Sequence, residues 1–274
     1  MTTDSRAARE PKRRVHHFAM LKQRSQKIVV VTAYDYPTGL AADAGGADAV
    51  LVGDSLGMVA LGFDSTIPVT MEIMVHHTSA VRRGVKRAFL VADLPFMSYH
   101  VSAQLALANA GRLVQEGGAE AVKLEGGVEV APVVEKIVAA GIPVMGHVGL
   151  VPQSVHKLGG YRVQGRDDDA ARRLLEDAKA LQEAGAFAVV LEAMDPQTAA
   201  EITAALKVPT IGIGAGRACD GQVLVMSDMA GLTAIPAPKF AKRYRSLLDE
   251  MTGAVREYSN EVRAGGFPEE KHEY

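Results

Sequence analysis

Cysteine is almost absent from this chain. Cys219 stands alone among 274 residues, which excludes an intramolecular disulfide and fits a reducing compartment. Long apolar runs are missing as well, and no stretch reaches the roughly 18 to 20 residues needed to span a bilayer. Residues 1–14, MTTDSRAAREPKRR, lack the apolar stretch of a secretory signal, and Asp4 and Glu10 count against an organelle transit peptide. The expectation is a cytoplasmic protein with a loose tail over 1–14. Charge of one sign is not in excess either: 30 basic and 32 acidic residues give a formal net charge of -2. With no basic cluster interleaved with aromatics, a nucleic-acid partner is not expected. The spacings His-x-x-x-His and Cys-x-x-Cys do not occur, which argues against a dedicated zinc site. Gly212-Ile213-Gly214-Ala215-Gly216 is followed by Arg217, so the run is not a dinucleotide fingerprint. It either brings backbone close to a ligand or makes a plain tight turn.

What the chain does have is a set of short apolar runs that finish on a carboxylate: Val50 to Asp54, Leu90 to Asp93, Ala121 to Glu125 and Ala188 to Glu192. Runs of this length, rich in Val and Leu and bounded by glycine or proline, read as parallel strands buried on both faces. Ligands of α/β folds gather at the carboxyl ends of such strands. Eight strand candidates alternate with helical stretches: 28–32, 49–52, 89–92, 121–124, 144–147, 188–191, 210–213 and 223–226. The pattern predicts an α/β chain folded as one (β/α)8 TIM barrel over 15–264, between the tail 1–14 and a second tail, 265–274.

A weak repeat supports this. Gly46-Ala47-Asp48-Ala49-Val50, Gly118-Ala119-Glu120-Ala121-Val122 and Gly185-Ala186-Phe187-Ala188-Val189 each join a helix end to a strand, with glycine as the cap. Aligning the copies puts Glu125 and Glu192 at one position, and Lys123 shares Glu125's side of its strand. Asp195-Pro196 and Asp168 are expected to open helices, the second ending before Gly185. A last helix carries Phe240, Tyr244, Leu247, Leu248, Met251, Val255, Tyr258 and Val262 as an apolar stripe, expected to pack on the barrel or on another subunit.

Hard divalent cations such as Mg²⁺ take oxygen ligands and are usually held by one or two carboxylates, with water and substrate completing the shell. Asp54 and Asp93, on neighbouring strands, suit that role. The competing account is that each acid is a plain helix cap in a βα loop. His147 points to the same rim, as a substrate contact or as a satisfied core residue. His16-His17 and His76-His77 are expected at the surface or at subunit contacts, and Cys219 as a bystander. The glycine-flanked basic segment 159–166 is either a lid over anions or an exposed connector.

The strings TAYDYPTGLA, VLVGDSLGM, STIPVTMEIMVHHT, VADLPFMSY, AVKLEGG, GHVGLVPQSV, GGYRVQGR, VPTIGIGAGRACDGQVLV and PKFAKRY resemble the ketopantoate hydroxymethyltransferase (3-methyl-2-oxobutanoate hydroxymethyltransferase) family. The likeness runs in order over residues 15 to 268. It implies a barrel of the phosphoenolpyruvate/pyruvate-binding kind, a homodecamer, Mg²⁺, and 5,10-methylenetetrahydrofolate as one-carbon donor in pantothenate biosynthesis. It further implies Asp54, Asp93 and Glu125 as metal ligands, Asp54, Ser55, Asp93 and Lys123 as contacts of the keto acid, and Glu192 as proton acceptor. The implied reaction makes ketopantoate from 3-methyl-2-oxobutanoate through a Mg-stabilised enolate. After Glu192 the family more often has Val-Pro, where this chain has Ala193-Met194.

Three other functions compete. A Schiff-base aldolase would use Lys123 as nucleophile. A carbon-carbon lyase of the phosphoenolpyruvate mutase and isocitrate lyase kind would share the barrel and the metal acids, but its Lys-Lys-Cys-Gly-His-like loop has no counterpart in Ala218-Cys219-Asp220-Gly221. A non-catalytic binding protein would be expected to lack one of Asp54, Asp93 or Glu192, and all three are present.

Overall fold

The computed structural model describes residues 11–154, 162–233 and 236–274. These fall into two compact units, one running to Leu224 and the other from Val225 to Tyr274. The first holds a closed barrel of eight strands that pair in chain order: β1 Ile28–Thr32, β2 Ala49–Val52, β3 Phe89–Asp93, β4 Ala121–Glu125, β5 Val144–Gly149, β6 Ala188–Glu192, β7 Thr210–Ile213 and β8 Gly221–Leu224. All neighbours are parallel, and Ile28 opposite Gly221 closes the ring. Every residue of β2, β3 and β4 is buried, as strands covered on both faces require.

The interior is filled by small and branched side chains, among them Val30, Leu51, Val91, Ala121, Ala188, Val190 and Val223. Phe18 and Leu21, from the helix Val15–Gln23, join this cluster. Phe18 lies 5.5 Å from Phe89 and 5.4 Å from Phe187, ring centre to ring centre. Phe89 opens β3, so this helix plugs the amino-terminal mouth. Lys12 and Arg13, expected in the loose tail, are instead bound there. Lys12 pairs with Glu120, while Arg13 lies 3.0 Å from Asp48 and donates its backbone N–H to Arg87. With one mouth plugged, the carboxyl ends of the strands are left for chemistry.

Three further expectations change. β8 runs from Gly221 to Leu224, two residues earlier than predicted, because Gly221 pairs with Ile28 and Ile211 while Met226 already opens a short helix. The helix expected to open at Asp168 does start there, but Asp167 caps it, accepting from the N–H of Ala170. The last helix spans only Leu247–Ala264, so Phe240 and Tyr244 precede it, and none of its residues is buried. In that segment the backbone N–H of Tyr244 is bonded to Met229, which competes with helix formation. Within the same unit Phe267 packs edge-on against Tyr258 at 5.4 Å. Gly46, Gly118 and Gly185 do occupy the left-handed region expected of helix caps, with φ of 91°, 75° and 96°.

Candidate active site

The sheet register assembles the site. Asp93, Glu125 and Glu192 are the last residues of β3, β4 and β6, and Asp54 lies two residues past β2. Pairing sets Lys123 opposite Asp93, Glu125 opposite His147 and Glu192 opposite Gly149. Lys123 Nζ accordingly reaches Asp93 Oδ2 at 3.2 Å and His147 Nδ1 at 3.2 Å. Asp54 donates its backbone N–H to the same Asp93 oxygen at 3.0 Å. Ser55 Oγ shares a hydrogen bond with the hydroxyl of Tyr34 at 2.9 Å. His77, expected at the surface or a subunit contact, meets the Tyr34 carbonyl through Nδ1 and braces that pair.

An ammonium can only donate, so His147 Nδ1 facing Lys123 must be the unprotonated nitrogen, and the ring proton sits on Nε2. Nε2 lies 3.3 Å from Glu192 Oε2, a close approach without hydrogen-bond alignment. His147 thus steadies Glu192 from one side. The side chain of Glu192 is 19% exposed, against 3% for Asp93 and 4% for Glu125. Of these three acids it is the most open to a substrate entering the rim.

Burial is the largest influence on the other acids. It raises Asp54 to about 7, reinforced by Asp93. It raises Asp93 against the opposing charge of Lys123, and it raises Glu125 well above the carboxylate range with help from Asp54. Burial also works against the charge of Lys123, but Asp93, Glu125, Asp54 and Glu192 outweigh it and hold the ammonium form above its ordinary range. His147 is lowered by burial and then by Lys123. The pocket thus holds more carboxyl groups than one lysine can keep ionised, and a divalent cation would favour the ionised form of all three acids.

The donor atoms suit such an ion. Asp93 Oδ1 is buried and has no hydrogen-bond partner among the described residues, a costly state that a ligand would relieve. Asp54 and Glu125 each commit one oxygen to Gln153, at 2.8 Å and 3.1 Å. Among the described residues no group of three or more His, Cys, Asp or Glu side chains is preassembled around one point.

A family model for ketopantoate hydroxymethyltransferase matches residues 12–270. The chain belongs to that family. The 3-methyl-2-oxobutanoate hydroxymethyltransferase of Carboxydothermus hydrogenoformans is 59% identical over 254 residues, 93% of this chain and 92% of the relative. The one from Moorella thermoacetica is 57% identical, covering 93% and 94%. This member of the ketopantoate hydroxymethyltransferase family is therefore an enzyme, a hydroxymethyltransferase. Among solved structures, phosphonopyruvate hydrolase in complex with oxalate and Mg²⁺ superposes with a TM-score of 0.61 at 13% identity, over 93% of this chain and 88% of that one. The phosphoenolpyruvate phosphomutase of Streptomyces platensis subsp. rosaceus gives 0.59 at 16%, over 94% and 92%. At such identities the likeness is one of fold.

Of the candidates drawn from the family's motifs, Asp54, Ser55, Asp93, Glu125 and Glu192 lie at or just past the carboxyl ends of β2, β3, β4 and β6, and Lys123 lies two residues before Glu125 in β4. His147, left open between core and site, sits between Lys123 and Glu192. Gln153 and Tyr99 were missed. Both lay inside quoted motifs, but nothing in a lone Gln or Tyr in a loop announces a buried role. Gly214 and Gly216 have φ of 64° and 81°, and a Cβ on Gly216 would come within 2.9 Å of Pro196, so the glycine run makes a tight turn. Of the segment 159–166, residues 159–161 lie outside the described residues.

Proposed function

We propose that this family member transfers the one-carbon unit of 5,10-methylenetetrahydrofolate to 3-methyl-2-oxobutanoate, giving ketopantoate and tetrahydrofolate in pantothenate biosynthesis. The observation that carries it is a half-buried carboxylate, Glu192, at the rim beside a neutral His147 and above a buried cluster of acids with one lysine. Asp54 and Asp93 would hold Mg²⁺, with Glu125 contributing to the same site. When bound, the ion would polarise the keto group of the substrate and so acidify the C3 hydrogen.

Asp54, Ser55, Asp93 and Lys123 then bind the keto acid, Lys123 facing its carboxylate. Glu192 takes the proton from C3, with the Nε2–H of His147 close to Oε2 to steady the ionised form. The electron pair left at C3 forms the bond to the donor's methylene carbon. That carbon starts out bonded to two folate nitrogens: the C3 electron pair takes the place of one and the hydroxyl of one water the place of the other. Both carbon-nitrogen bonds therefore break, and the proton from C3 and one from the water end on the two nitrogens of tetrahydrofolate. No lysine nucleophile is needed, and Lys123, protonated and paired with Asp93, is a poor one. A cytoplasmic location and assembly of copies into a homo-oligomer, a decamer by family likeness, belong to the same proposal. So does the division into a catalytic domain over 15–264 and a tail over 265–274. Among the described residues no helix is long and apolar enough to cross a membrane.

The test is NMR exchange of the C3 hydrogen of 3-methyl-2-oxobutanoate in D₂O, with and without Mg²⁺ and before any folate is added. Metal-dependent exchange is expected from the wild type. Glu192→Gln should retain keto-acid binding and lose at least about 100-fold in exchange, the lower range for removing a general base. Exchange at the wild-type rate in that variant would remove Glu192 from the role.

A further inference from the structure

Gln153 lies in the single turn Pro152–Ser154 just after β5 and is 3% exposed. Every polar group of its side chain is used. The amide nitrogen donates to Asp54 Oδ2 at 2.8 Å and to the carbonyl of Leu94 at 3.0 Å. The amide oxygen accepts from the hydroxyl of Tyr99 at 2.8 Å. The backbone N–H donates to Glu125 Oε2 at 3.1 Å. Tyr99 in turn receives the backbone N–H of Glu125 at 3.2 Å. The amide orientation is therefore fixed, because turning it over would set its oxygen against a carboxylate and a carbonyl.

Asp54 lies just past β2 and Glu125 ends β4, strands that do not pair, and Leu94 directly follows Asp93 at the end of β3. One residue thus references the three strand ends that bring in the acids. It does so without charge. Lys123 offsets the negative cluster, whereas a neutral amide fixes where the carboxylates point and leaves their charge for a cation. Like charges at close range splay apart unless restrained, and ligands held in place beforehand bind a metal more tightly.

We infer that Gln153, with Tyr99 behind it, is a positioning residue that sets Asp54 and Glu125 for a divalent cation. The inference rests on the metal role given to those acids above. Its test is Mn²⁺ binding to the full chain, read from the EPR signal of the free ion with 3-methyl-2-oxobutanoate present and near-UV circular dichroism as the check on folding. Gln153→Leu keeps the bulk and the backbone bond to Glu125 but removes the bond to Asp54. Its Mn²⁺ affinity should fall roughly 10- to 100-fold, as for loss of a group that orients a metal ligand. Tyr99→Phe, which removes the support of the amide oxygen and the acceptor of the Glu125 backbone N–H but keeps the bond from Gln153 to Asp54, should weaken binding by a smaller factor. Should Gln153→Leu not fold, Tyr99→Phe decides, and wild-type affinity there overturns the inference. If Asp54→Asn loses Mn²⁺ while Gln153→Leu binds it as the wild type does, the inference fails and the metal site stands. If the wild type itself binds no Mn²⁺, the metal reading fails and takes this inference with it.

Discussion

Lys123→Met offers the sharpest test of how the charge cluster is held. The ammonium is 5% exposed and 3.2 Å from Asp93 Oδ2. At that separation, attraction at an effective dielectric constant of about 20 is about 5 kcal/mol. Part of this only offsets the desolvation of both ions. Removing one partner of a buried pair, which strands the other, costs roughly 3 to 5 kcal/mol. Methionine is unbranched and of similar length, so little cavity forms and the loss reports charge. For a chain of this size each kcal/mol moves the thermal midpoint by roughly 2 to 4 °C. The EDTA-treated variant at pH 8 should therefore melt about 10 °C below the wild type. Mg²⁺ should raise its midpoint more than it raises that of the wild type, since the acids then lack their internal cation. Keto-acid affinity should fall even so, because the substrate carboxylate has lost its partner. The assays are scanning calorimetry with and without Mg²⁺ and an equilibrium titration of 3-methyl-2-oxobutanoate. A metal-free midpoint and a keto-acid affinity both equal to wild type would refute the reasoning.

Two other outcomes follow from the same geometry. Asp54 is raised from 3.8 to about 7, first by burial and then by Asp93, so between these values the folded state binds more protons than the unfolded one. Its contribution to metal-free stability is fullest below the unfolded value and is lost as pH rises through 7. A cation binds the ionised form, so Mg²⁺ affinity should rise with pH up to about 7 and release protons. Calorimetric titration at pH 6 in buffers of different ionisation enthalpy measures this, and a heat independent of buffer would contradict it. Gly149 has a φ of 100°, and a Cβ there would lie 2.3 Å from the backbone carbonyl of Glu192. Gly149→Ala should cost roughly 1 to 3 kcal/mol and slow C3 exchange while leaving Mn²⁺ affinity intact. Loss of Mn²⁺ binding with exchange preserved would reverse that assignment.

Much of this site could be read from single strands. Buried runs ending in Asp93, Glu125 and Glu192 mark their own place, because a parallel strand in a barrel has one end plugged and one end open. The capping glycines 46, 118 and 185 fixed where β2, β4 and β6 begin. Where local pattern competed with pairing, pairing won. β8 moved back to Gly221 because its partners Ile28 and Ile211 are there, although Val223 to Met226 is the more apolar window. The stripe from Phe240 to Val262 has helical spacing throughout, but only Leu247 onward is helical.

Sequence alone determined the strand order, the acids at the strand ends and the family, since these follow from apolar periodicity, capping residues and contiguous motifs. Tertiary structure decided which charges meet. Lys123 touches Asp93 because of the β3–β4 register, and His147 takes its tautomer from Lys123 on one side, which frees Nε2–H to face Glu192 on the other. Gln153 gains its role only when the turn after β5 folds over β2, β3 and β4. Hydrogen bonds and ion pairs act over about 3 Å, at this site between residues as far apart in the chain as Asp54 and Gln153, 99 positions, and no local pattern along the chain encodes such a meeting.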